Sequence, residues 1–265
     1  PDLAILCAEA PCSAAAVFTT NKVKSAPVTL CQRRLVKKQA QAIVVNSGCA
    51  NACVGERGLA DALEMARLAA AKLEIPLEDA LVASTGIIGM PLPMDRVRAG
   101  IKEIELSRGG GHDFARAIMT TDTTPKEIAV QVGTGEFIIG GAAKGAGMIH
   151  PNLATMLCFI TTDALVDAQF LQSSLERAAD VSFNMISVDG DTSPSDSVFL
   201  LANGLAGNKP IGFDNGEIFQ EALSEVCIYL ARSIVGDGEG ATKLIEVAIE
   251  GAMKQAEARQ AARTI

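Results

Sequence analysis

The chain is predicted to be an α/β protein in which sheets pack against helices. Two observations predict this. Strand-like and helix-like hydrophobic patterns alternate along the first hundred residues, and the final third repeats the mixture after a β-rich middle. The composition permits it: 265 residues, 49% of them hydrophobic and 20% charged, can bury a substantial core.

Taken in order, Leu3 to Cys7 and Val17 to Thr20 are short apolar, β-branched runs. Ala42 to Asn46 reads as a buried strand ending in an Asn46-Ser47-Gly48 turn. Leu59, Leu63, Ala66, Ala70 and Leu73 share one helical face, and Pro76 ends that helix. Leu81 to Ser84 is a strand running into Thr85-Gly86, and a helix follows from about Asp95. Ile128, Val130 and Val132 alternate; glycines 133 and 135 make a turn and Phe137 to Ile139 returns, the pattern of a hairpin. Met156 to Thr161, Met185 to Val188, Ser197 to Leu201 and the alternating Ile245, Val247 and Ile249 read as further strands. Helices are expected over about Asp167 to Ala179 and from Asp214, whose carboxylate would cap a helix with Glu217 three residues on. The chain opens on Pro1 and closes on a helix former with no stop signal, so both ends are expected to be cut from something longer.

Charge and composition exclude several classes. The net charge of −8 argues against a nucleic-acid or anionic-membrane surface. Ten aromatic residues without a Trp make a base-stacking platform a poor fit. No run of about eighteen apolar residues suggests a membrane span. Seven scattered cysteines do not form a disulfide pattern. Cys49 and Cys53 lack the partners a zinc site needs, so no metal is expected.

The stretch richest in chemical signals is GGAAKGAGMIHPNLATML, residues 140–157. Lys144 is not in a phosphate-loop context, because no Gly sits five before it and no Ser or Thr follows. From spacing alone the stretch is a glycine-rich turn entering a strand. Four other blocks stand beside it: NSGCANAC at residues 46–53, ASTGIIG at 83–89, IMTTDTTPK at 118–126 and SVDGDTS at 187–193. Together and in this order the five blocks resemble the ornithine acetyltransferase family, also called bifunctional glutamate N-acetyltransferases of arginine biosynthesis. The resemblance spans essentially the whole chain. Cys49 departs from the Asn usual in its block.

The resemblance implies an αββα-type sandwich shared with self-processing aminopeptidases. It also implies self-cleavage between Ala154 and Thr155. The α chain would be residues 1–154, and the β chain, residues 155–265, would complete the first domain and begin a smaller, incomplete second one. The physics is coherent. A threonine hydroxyl is a weak nucleophile at neutral pH, and cleavage frees an α-amine, with a pKa of about 8, that can serve as base on the same residue. Thr155 is thus implied as nucleophile, Thr85 and Gly86 as oxyanion donors, and Thr121, Lys144 and Glu239 as substrate contacts. Lys144 suits an α-carboxylate and Glu239 an ammonium, the two charges of an amino acid. The implied reaction carries acetyl from N-acetylornithine to glutamate by a ping-pong route. No cofactor is implied; some members also accept acetyl-CoA, and nothing here identifies a site for it. An assembly of α and β pieces into a larger oligomer is expected, in the cytoplasm or, in eukaryotes, in the mitochondrial matrix or plastid.

Two rivals remain at this level. Asp189 and Asp191 follow an apolar stretch, as in Mg²⁺-dependent phosphatases that use a nucleophilic Asp. A self-cleaving aminopeptidase of the same fold is the second.

Overall fold

A computed structural model describes residues 2–150 and 156–264. Seven strands form one mixed sheet: β1 (Leu3–Phe18), β2 (Gln39–Cys49), β3 (Ala80–Ile87), β4 (Lys126–Val132), β5 (Phe137–Lys144), β6 (Leu157–Thr162) and β7 (Ser197–Ala202). Their order is β3-β2-β1-β7-β6-β5-β4. The pairs β2/β3 and β6/β7 are parallel and the others antiparallel. Among the described residues seven α-helices accompany them: α1 (Ala26–Arg34), α2 (Gly55–Leu73), α3 (Met94–Glu103), α4 (Gly111–Ala117), α5 (Ala168–Asp180), α6 (Glu217–Gly236) and α7 (Gln255–Thr264).

The core lies on both faces of the sheet. Along β6, Leu157 and Phe159 enter a cluster with Met65 of α2, Val97 of α3 and Phe114 of α4. Cys158 and Ile160 enter another with Leu171 of α5 and Val226 of α6. Phe199 and Leu201 of β7 divide from Val198 and Leu200 in the same way. A strand covered on both sides must be apolar at successive positions, which is why LCFITT and SVFLLA do not alternate.

The α/β class is as predicted, with differences in detail. The described strands form one sheet, whereas the family resemblance implied two packed sheets. The two N-terminal runs join into the single strand β1, whose register with β2 shifts between Cys7 and Cys12, around Pro11. A proline is tolerated at such an irregularity because its missing N–H is not called on there. Asn46-Ser47-Gly48 and Thr85-Gly86 are not turns; β2 and β3 continue through them as a parallel pair. Residues 186–188 leave the sheet because Val188 donates to the carbonyl of Ile149 (2.8 Å). Asp214 is no cap: Gly216 starts α6, where a Cβ would lie 2.0 Å from the Phe170 ring. Residues 245–250 keep their alternation but have no strand partner among the described residues, and Ile245 is 79% exposed. Among the described residues no helix is long and apolar enough to cross a membrane.

Candidate active site

Two sequence blocks meet through strand register. The parallel pairing sets Ser47 beside Thr85 and Gly48 beside Gly86. Gly86 has φ +125°, and a Cβ there would stand 2.3 Å from the backbone carbon of Gly48. Only glycine permits that approach, so the two motifs depend on each other. Ser47 in turn exchanges hydrogen bonds with Asp2, accepting its N–H on Oγ at 3.1 Å and donating its own N–H to the Asp2 carbonyl at 3.0 Å.

A third block is fastened beneath them. Glu239 donates its N–H to the carbonyl of Ala146 (2.7 Å), and its carboxylate closes over Gly147, where a Cβ would meet it at 2.6 Å. Asp189 holds the adjoining turn: its oxygens accept the N–H groups of Met148 and Ile149, the latter at 2.9 Å. Met148 sits at φ +58°, a left-handed conformation that such an acceptor helps to hold.

Lys144, at the end of β5, is a buried cation held in place. Its side chain is 3% exposed, it donates to the Thr120 hydroxyl (2.7 Å), and it lies 3.8 Å from Asp122. Asp122 is a hub. It accepts from Lys126 (2.7 Å), the Gly145 amide (2.6 Å) and the Thr120 amide (3.0 Å). Lys126 also reaches Asp237 at 2.6 Å. Burial alone would raise the Asp122 carboxyl, but Lys144, Lys126 and the two amides outweigh it and hold it below the usual carboxylate range. Burial lowers Lys144, with Asp122 opposing. Burial would also raise Asp237; Lys126 and the Thr123 hydroxyl and amide hold it down to about 2.

These elements surround an open cavity of about 810 Å³. Thr85, Gly86, Thr121, Lys144 and Glu239 all line it, so five of the predicted residues converge from β3, β5 and two separate loops. Ala154 and Thr155 lie outside the described residues; Met156, the next in sequence, is buried. Thr120, not Thr121, partners Lys144. Sequence reasoning missed Arg116, which also lines the cavity, and the hub Asp122, whose partner Lys126 it shares with Asp237. The Asp122/Lys126 spacing of four was the available signal for the hub; Asp237 lies too far away in sequence to leave one. Both oxygens of Asp189 accept backbone amides, the work of a residue that holds a turn. Among the described residues no group of three or more His, Cys, Asp or Glu could hold a metal ion.

With this geometry established, the chain can be set beside known proteins. Residues 1–265 match the model of the ArgJ family. The arginine biosynthesis bifunctional protein ArgJ of Dehalococcoides mccartyi is 57% identical over all of this chain and 66% of its own length. A solved structure of arginine biosynthesis bifunctional protein argJ from Bacillus halodurans is 46% identical, with a TM-score of 0.55 over 57% of this chain and 82% of that one. Ornithine acetyltransferase from Mycobacterium tuberculosis, solved in complex with ornithine, is 41% identical, with a TM-score of 0.53 over 58% of this chain and 84% of that one. The chain spans about two thirds of the length of the curated relatives it matches.

Proposed function

The chain belongs to the ArgJ family, and from that premise we propose that it carries the acetyl-transfer site of an arginine-biosynthesis enzyme. The donor is N-acetylornithine and the acceptor is glutamate. The observation that carries this reading is the convergence of Thr85, Gly86, Thr121, Lys144 and Glu239 on one cavity. A buried cation and a carboxylate in one wall match the two charges of an amino-acid substrate.

The reaction begins with cleavage before Thr155, dividing the chain into residues 1–154 and 155–265. The Thr155 oxygen then bonds to the acetyl carbonyl carbon of N-acetylornithine. The amide C–N bond breaks, and the hydroxyl proton passes through the residue's own α-amine to the departing ornithine nitrogen. Donors at Thr85 and Gly86 receive the developing oxyanion, a contribution of about 3 kcal/mol for each well-aligned donor. In the second half-reaction the glutamate amine attacks the acetyl ester, the C–O bond breaks, and the hydroxyl is restored. Lys144 meets the α-carboxylate in both halves.

The test is intact mass under denaturing conditions combined with N-acetylornithine quenching. Two pieces dividing at 154/155, with an acetyl group on the N-terminal threonine of the second, are expected. A single full-length species in material that turns over would overturn the cleavage step, and acetyl transfer persisting in Thr155→Ala would remove Thr155 as nucleophile.

A further inference from the structure

Asp196 is fully buried, 0% exposed, immediately before β7. Its Oδ1 accepts the N–H of Met156 at 3.0 Å. The Met156 carbonyl accepts the N–H of Ser197 at 3.2 Å. Residues 196 and 197 therefore grip Met156 from both its amide and its carbonyl side.

Holding one amide does not explain the choice of side chain. Asp196 Oδ2 is buried and has no hydrogen-bond partner. The Ser193 hydroxyl and amide stand beside the carboxyl and favour its charged form. Burial pushes the carboxyl well above its usual range, and the Met156 amide, Ser193 and the Lys144 ammonium oppose this without overcoming it. Burial penalises such an orphaned group, so its presence calls for a use.

Its place in the sheet suggests one. The β5-β6-β7 register puts Lys144, Leu157 and Ser197 in one row, and Lys144 lines the cavity. Asp196 and Met156 each precede that row by one residue. The nitrogen that Asp196 holds is the one bonded to the carbonyl carbon of residue 155.

We propose that Asp196 is a positioning residue for the threonine nucleophile, holding the N–H of the residue that follows it through Oδ1 and keeping Oδ2 as an uncommitted hydrogen-bonding group. This rests on the reading of Thr155 as nucleophile, and the experiment separates the two. In the full chain, self-cleavage and acetylation by N-acetylornithine are timed by intact mass for the wild type, Asp196→Ala and Asp196→Asn. Both rates are expected to fall at least about 30-fold in Asp196→Ala, with KM for N-acetylornithine within about threefold and the unfolding midpoint little changed, because an orienting contact acts on the transition state. Asp196→Asn, which offers Met156 the same acceptor and an N–H where Oδ2 stood, is expected to return to within about fivefold of the wild type. If the Ala variant does not fold, Asp196→Ser, which keeps a hydroxyl but not the reach to Met156, replaces it with the same expectation. Wild-type rates in the Ala or Ser variant, or loss of both rates in a folded Asn variant, would overturn the proposal while leaving Thr155 in place. A wild type that transfers acetyl without ever carrying it on Thr155 would overturn the nucleophile reading and this proposal with it.

Discussion

Asp122 contributes to the site without being one of the residues expected to meet substrate. Its carboxylate, 0% exposed, takes hydrogen bonds from Lys126 and from the amides of Thr120 and Gly145, and lies beside Lys144. Removing one partner of a buried charge group leaves the others uncompensated, typically at about 3–5 kcal/mol. Asp122→Ala is therefore expected to lower stability by that order in denaturant unfolding and to raise KM for both amino-acid substrates as Lys144 loses its anchor. Gly86 is constrained differently. A Cβ there meets the Gly48 backbone and must adopt φ +125°, so Gly86→Ala is expected to displace the donor and cut kcat about 100-fold or more, measured against an unchanged Asp2–Ser47 contact in a crystal structure.

At the scale of elements, the junction of α6 with β4 is an electrostatic joint. Asp237 stands at the C-terminal end of α6, where a negative charge opposes the helix dipole. Lys126, at the start of β4, compensates it, together with the Thr123 hydroxyl and amide. The folded carboxyl is held down to about 2, below its unfolded value of about 3.9. Stability from this joint is thus fully present above about pH 4 and is lost as pH falls through about 2, on the order of 2 kcal/mol in all. The gap in unfolding midpoint between wild type and Asp237→Asn is expected to be constant from pH 7 to 5 and to close between pH 4 and 2. A gap that persists at the acid end would mean that the charge is not what the joint uses.

For the whole molecule, the sheet joins two cores, and Phe159 at its centre stacks on Phe199 (5.7 Å) and meets Phe114 edge-on (5.2 Å). Phe159→Ala is expected to cost about 3–5 kcal/mol in a single cooperative transition. Two separate transitions would mean that the halves of the sheet fold independently.

Much of this was legible in one dimension. The helix at 55–73, the hairpin of β4 and β5, and the buried strands β6 and β7 follow from periods of 3.6 and 2 and from unbroken apolar runs, all local consequences of which side faces the core. The five site blocks could be read because each is short, contiguous and rich in glycine and hydroxyl residues. Residues 186–188 and 245–250 misled for the same reason: alternation specifies a side-chain pattern, while a strand also needs a neighbour to take its hydrogen bonds. Whether that neighbour exists is decided far away in the chain.

The sequence by itself therefore determined the class of fold, most of its elements and five of the residues that line the cavity. Only the tertiary structure decided how the site is held: Gly86 against Gly48, Glu239 over Gly147, Asp237 on Lys126 and Asp196 on Met156. One is an ion pair, one a hydrogen bond to an amide and two are close approaches to a glycine, but all four join residues nearly forty or more positions apart. Such contacts leave no periodic trace, because their energy comes from proximity that only the folded sheet creates.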